Sequence, residues 1–271
     1  MMRSLYAAIS GLRVHQQLLD VTANNIANVN TIGYKSARAT FKDALLQTLK
    51  GAAAPVASGL GGTNPVQIGL GVQLGSIDNV VTQGAIQTTG GPFDLAIQGK
   101  GWFQVSTDPA SSSAPVYYTR AGNFTRDANG NLVNPDGYYL VGSLNNANSK
   151  ITVPADARSV SIDPSGTVTV VDASGQTTTY TIQLAAFPND AGLERVGNNL
   201  WQASPNSGTA TVGNPQSSGL GSITPGAIEM SNVDLALEFT TMIAAQRGFQ
   251  ANSRVISTGD EMLQELVNLR R

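Results

Sequence analysis

His15 is the one histidine of the chain, and cysteine is absent. Without thiols there is no disulfide, no thiolate metal site and no cysteine nucleophile. A single imidazole cannot build a His-rich metal centre, and a Ser-His-Asp triad would have to use His15 as its base. His15 falls in an amphipathic helical pattern near the N-terminus, where it reads as a helix-surface residue. Asp78 and Asp94 could serve as paired carboxylates, but nothing in the sequence brings them together. Asp127-Ala128-Asn129-Gly130-Asn131 resembles the start of a calcium loop. That loop needs glycine sixth and glutamate twelfth, whereas here glycine is fourth and Tyr138 twelfth, so a hairpin turn is expected. Gly69-Leu70-Gly71 with Gly75 misses the dinucleotide fingerprint, because Leu74 stands where the third glycine belongs. No Walker loop is present. The expectation is no catalytic residue, no metal, no cofactor and no enzymatic activity.

The residues that carry a pattern are apolar. The chain has 271 residues, 41% of them hydrophobic and only 13% charged, the latter about half the usual share. A net charge of -2 gives no reason to expect nucleic acid. No run of apolar residues is long enough to cross a membrane. Residues 1–19 lack the continuous apolar stretch of a cleaved secretory signal, since His15, Gln16 and Gln17 interrupt it. Charge is uneven: residues 1–50 carry 6 Lys+Arg against 2 Asp+Glu, and residues 51–230 carry 6 against 11.

Residues 4–29 read as a helix with Ser4 as N-cap. Leu5, Leu12, Leu19 and Ile26 recur every seven residues, with Ile9, Leu18 and Val29 widening the stripe. The helix should fray through residues 24–30, rich in Asn, and break at Gly33. Phe41, Leu45 and Leu49, four apart, predict a second short amphipathic helix. Gly51–Gly62 reads as a linker. Residues 69–203 predict short antiparallel strands, with turns at Asn129-Gly130, Asp136-Gly137, Ser165-Gly166 and Ser174-Gly175. Ser159–Asp163 should pair with Thr167–Val170, the segment from Thr177 to Gln183 should follow, and Pro92–Ile97 should pair with residues 101–105. Residues 204–226 read as another linker. A long helix then follows, capped at Ser231 and Asp234. In it Leu235, Met242, Phe249, Ile256 and Leu263 form a second heptad row, thickened by Phe239, Ile243, Leu266 and Val267. Gly259 weakens that helix by about 1 kcal/mol relative to alanine, which makes sense only if a neighbour packs closely there.

The predicted fold class is therefore α+β. Terminal helices 1–33 and 231–271 pair as a coiled-coil-like stalk, residues 34–68 and 204–230 connect, and 69–203 form a β-rich domain. The nine heptad residues, Leu5, Leu12, Leu19, Ile26, Leu235, Met242, Phe249, Ile256 and Leu263, are the candidate assembly interface. An intramolecular helical hairpin is the other use for them.

Asn24-Asn25-Ile26-Ala27-Asn28-Val29-Asn30-Thr31, then Gly33-Tyr34-Lys35 and Phe41-Lys42-Asp43, resembles the N-terminal signature of the bacterial flagellar hook and rod proteins. Met230-Ser231-Asn232-Val233-Asp234-Leu235, Glu238-Phe239 and residues 246–253 resemble the C-terminal signature. Leu95-Ala96-Ile97, Gly101-Trp102-Phe103 and Tyr118-Thr119-Arg120 look like the family's β segment. Gly248-Phe249 and the ending through Leu269 resemble short hook proteins, with the distal rod protein as the alternative. The resemblance implies a subunit secreted through the flagellar type III export apparatus to an extracellular place in the flagellum. It implies a homopolymeric helical tube that transmits torque, and contacts with rod and hook–filament junction proteins and a hook cap. A β-rich carbohydrate-active enzyme and a monomeric adhesin are the readings from other classes.

Overall fold

A computed structural model describes residues 2–55, 61–111, 114–144, 147–217 and 219–268. Two helices flank a series of antiparallel strands, an α+β chain. Its backbone separates into two compact units: Met1–Ala27, Ala37–Asp78 and Asp234–Arg271 in one, Asn28–Ser36 and Asn79–Val233 in the other. The division differs from the expected helical, connecting and β segments, because the signature residues 28–36 go with the strands and residues 37–78 go with the helices.

In the first unit α1 spans Met2–Ala27 and α2 spans Leu235–Asn268. α1 begins two residues ahead of Ser4, so Ser4 lies inside the first turn and is not the cap. Asp234 caps α2: its Oδ1 accepts the N–H of Ala236 at 2.9 Å and of Leu237 at 3.3 Å, satisfying two of the orphan donors of a helix start. Ser231 accepts from the N–H of Val233 at 3.3 Å. The helix predicted through Phe41, Leu45 and Leu49 is absent; Ala37–Asp43 and Leu46–Lys50 are strands. The spacing misleads because four is an even number, so these residues share a face of an extended chain as readily as of a helix. Ala37–Asp43 pairs with Val72–Asn79, and Leu46–Lys50 pairs with Val66–Gly69 as a separate two-stranded ribbon. Of the expected linker, residues 56–60 lie outside the described residues, as do the Leu266 side chain and Leu269.

The second unit holds an antiparallel sheet of 13 strands among the described residues. Ser159–Ile162 pairs with Thr167–Val171, and that strand with Thr177–Ile182, in the order expected. Four of its turns share one construction. In Asp127–Asn131, Asn134–Tyr138, Asp163–Thr167 and Asp172–Gln176, the first residue accepts from the fourth and donates to the fifth. The fourth is always glycine, at φ between 79° and 86°, the left-handed position of a three-residue hairpin loop with a bulge.

One predicted pairing fails. Leu95–Gln98 pairs with Ser222–Pro225, while Trp102–Ser106 pairs with Val116–Thr119. Gly99 and Gly101, at φ 107° and 134°, turn the chain out of the first sheet instead of closing a hairpin. Residues 204–230, expected to be a linker, contribute three strands. The core gathers Leu95, Ile97, Phe103, Leu140, Ile182 and Ile223, all at most 1% exposed. A neighbouring aromatic group joins Trp102, Tyr118, Phe187 and Trp201.

Candidate assembly surface and a buried ion cluster

α1 and α2 run antiparallel. A β-carbon added at Gly259 would stand 2.9 Å from Leu5 Cδ2, one at Gly11 2.6 Å from Asn252 Nδ2, and one at Gly248 2.5 Å from the His15 ring. Near the other end of α1, Asn25 Nδ2 donates to Glu238 Oε1 at 2.9 Å. The buried stripe of α1 is Ala8, Gly11, Val14, Thr22 and Asn25, and that of α2 includes Ala245 and Gly259. Small and polar side chains thus dominate the stripe and let the two backbones approach, while Leu5 packs over Gly259 and most of the large apolar side chains lie beside the seam or outside it.

The nine heptad residues are placed accordingly. Leu5, Leu12, Leu19 and Ile26 are half-buried along one flank of the seam. Leu235 and Phe249 are exposed, at 40% and 38%, whereas Met242, Ile256 and Leu263 are half-buried. Phe239, Ile243 and Val267 are at least half exposed. Both rows lie to the same rotational side of their seams, which in an antiparallel pair is one common side. The ribbon of the same unit adds Leu45, Leu46, Leu49 and Val66, each about half exposed or more. A two-stranded ribbon is marginal in water on its own, and these exposed apolar side chains make up the candidate assembly surface.

His15 belongs to the seam and not to the free helix surface. Its ring meets Phe41 edge-on at 6.3 Å, and among the described residues its buried Nδ1 has no hydrogen-bond partner. Asp127 uses its carboxylate on its own turn, accepting from the N–H of Asn129 and Asn131 and from Asn131 Nδ2. Asp94 accepts from Thr89 Oγ1. Among the described residues no group of three His, Cys, Asp or Glu could hold a metal.

In the second unit Lys35 and Arg120, both from segments that carry the family resemblance, converge on Glu229. Glu229 Oε1 accepts from Lys35 Nζ at 2.5 Å and from the Gly84 N–H at 2.9 Å, and Oε2 accepts from Arg120 Nη1 at 3.1 Å. Lys35 Nζ also donates to the Thr82 carbonyl, and Arg120 Nη2 to that of Gly99. The side chains of Lys35 and Glu229 are fully buried. Burial pushes the Lys35 ammonium below the usual lysine range; the charge and hydrogen bond of Glu229 oppose this, and Arg120 adds to it. Two cations against one carboxylate leave the cluster unbalanced, and part of the excess rests on Trp102, whose ring lies 5.5 Å from the Arg120 guanidinium. Lys35, Arg120 and Glu229 lie far apart in sequence, so only the folded chain assembles them. Sequence reading missed this cluster; the available signal was Glu229 itself, a carboxylate set among Ala227, Ile228 and Met230.

Three stretches match known families: residues 5–35 the flagella basal body rod protein, residues 96–170 the flagellar hook protein FlgE/F/G D1 domain, and residues 224–269 the flagellar basal body rod FlgEFG protein C-terminal region. The chain is 50% identical over 273 residues to the flagellar basal-body rod protein FlgG of Bacillus subtilis, covering 100% of both. It is 41% identical to FlgG of Agrobacterium fabrum, over 96% of this chain and 97% of that one. The flagellar hook protein FlgE of Borreliella burgdorferi is 28% identical across 447 aligned residues, with 100% of both chains covered.

Proposed function

Because the chain belongs to the flagellar hook and basal-body rod protein family, structural proteins and not enzymes, we propose that it is the distal rod subunit of the flagellar basal body. The hook reading of the sequence gives way to its alternative. The observation that carries the choice is the match to a rod protein at 50% identity along the full length of both chains. The likeness to a hook protein is weaker and needs 447 aligned positions for 271 residues. Gly248-Phe249, taken as a hook feature, has a different use: Gly248 admits the His15 ring into the seam.

The subunit works by polymerising. The α1–α2 pair acts as a coiled-coil-like stalk whose apolar side, with Leu12, Leu19, Phe239, Ile243 and Phe249, packs against stalks of other copies in the inner layer of a tube. The ribbon of Leu46–Lys50 and Val66–Gly69 is covered in the same way. The tube passes torque outward, and its neighbours are other rod subunits below and the hook above, reached after export through the flagellar apparatus.

Deletion of the gene in its own bacterium tests the assignment. The expected result is a basal body whose rod stops short, with no hook. A complete rod lacking only hook and filament would restore the hook reading.

A further inference from the structure

Arg195 is an exposed cation held by three contacts. It sits in Glu194–Gly197, the edge strand of the large sheet, just before the turn at Asn198 and Asn199. Its guanidinium lies 5.1 Å from the centroid of the Tyr34 ring and 4.8 Å from that of Trp201. Its Nη2 donates to the Lys35 carbonyl at 2.5 Å. Stacking on two rings and one fixed hydrogen bond remove the rotamer freedom that makes an ordinary surface arginine a weak partner. Yet among the described residues it forms no ion pair with a carboxylate. Among the described residues the ion pairs are Lys35 and Arg120 with Glu229, and Lys150 with Asp108.

Beside the guanidinium lies a hollow of about 150 Å³ lined by Asn28, Tyr34, Lys35, Asn198, Asn199 and Trp201 among others, none of them acidic. That is below the ~300–1,000 Å³ of a small-molecule site, and it suits the tip of one side chain. A pre-set arginine fork beside a hollow without acidic lining selects a carboxylate, whose two oxygens match it.

We propose that this hollow is a socket for the carboxylate of an aspartate or glutamate on a second copy of the chain. The inference rests on the polymer reading. Charge complementarity favours a second copy over an unrelated partner: residues 51–230 carry 11 acidic against 6 basic side chains. Each copy presents exposed carboxylates outside the ion pairs of the described residues, among them Asp136, Asp156 and Glu194.

The test compares assembly of the full chain and its Arg195→Lys, Arg195→Gln and Arg195→Glu variants by light scattering and electron microscopy at rising salt. Tryptophan fluorescence checks the fold of each. Wild type should assemble at a concentration that climbs with salt. Arg195→Gln should need about tenfold more protein, equivalent to about 1.4 kcal/mol, with a flatter salt dependence. Arg195→Lys keeps the charge but loses the fork and should fall between. Adding Asp136→Lys, Asp156→Lys or Glu194→Lys to Arg195→Glu should restore assembly in the one case that rebuilds the contact. Wild-type onset and salt dependence in Arg195→Gln would overturn the socket and leave the polymer reading standing. Should that variant unfold, wild-type behaviour in Arg195→Lys decides the same way. A wild-type chain that stays monomeric at every concentration would overturn both.

Discussion

Leu5 lies over Gly259, close enough that a β-carbon on the glycine would come within 2.9 Å of Leu5 Cδ2. The contact explains a glycine in the middle of a long helix, where it costs about 1 kcal/mol relative to alanine. The helix gives up propensity to let its partner approach. Gly259→Val should therefore destabilise the helix pair by about 1–3 kcal/mol through overpacking, although valine is the better helix former. Urea unfolding followed at the helical circular dichroism band measures the loss. Leu5→Ala in the same chain should recover part of it. Equal losses with and without Leu5→Ala would mean that the two residues do not press on one another.

Glu229 is the one carboxylate of the buried cluster, and Lys35 and Arg120 both depend on it. Glu229→Gln keeps the shape and removes the charge. Two cations then remain in the interior without a counter-charge, which should cost about 3–5 kcal/mol. The two tryptophans of the chain, Trp102 and Trp201, both belong to this unit, so their fluorescence in a denaturant titration reports on it alone. A change below 1 kcal/mol would show that water reaches the cluster.

The same cluster sets a pH dependence. Lys35 titrates below its ordinary 10.5 in the folded chain, chiefly because it is buried. Between its folded value and 10.5 the unfolded chain binds more protons than the folded one, so stability rises with pH across that window. Below the folded value lysine is protonated in both states and adds no slope. Subtracting the stability curve of Lys35→Met from that of wild type isolates the effect. A difference curve that falls as pH rises through the window would reverse the sign of the argument.

The sequence shows some of this and hides the rest for physical reasons. Both helices and the hairpin Ser159–Val171 are legible because apolar period and turn glycines agree with the folded result. The contact between the helices is hard to read because an apolar pattern follows large residues, whereas Ala8, Gly11, Thr22 and Asn25 are among the buried stripe of α1. Asn25 looked like a fraying residue. In the structure its side chain donates to the Ala37 carbonyl and accepts from the Ala37 N–H, at 2.8 and 3.0 Å. That tie holds the end of α1 to the next strand, a long-range partner that no local propensity reveals. The ion cluster is hidden for the same reason, since its three charges stand at positions 35, 120 and 229.

Assembly and folding should respond to different residues of α2. Phe239 and Ile243 are 50% and 52% exposed, so replacing either with aspartate removes little that the single subunit buries. Ile256 is half-buried on the seam side, and an aspartate there would place a charge against α1. Phe239→Asp and Ile243→Asp should accordingly leave subunit stability within about 0.5 kcal/mol, as exposed substitutions do. They should nevertheless block polymer growth, because a buried apolar side chain of this size contributes about 1.5–3 kcal/mol to each copy's packing and an unpaired charge reverses that gain. Ile256→Asp should lower both stability and assembly. Sedimentation of the three variants over a concentration series, beside thermal unfolding of each, separates the two effects. Normal polymers from Phe239→Asp and Ile243→Asp together would move the contact between copies off this side of α2. Polymers lost only in step with subunit stability would instead mean that assembly reads the integrity of the pair and not its exposed side.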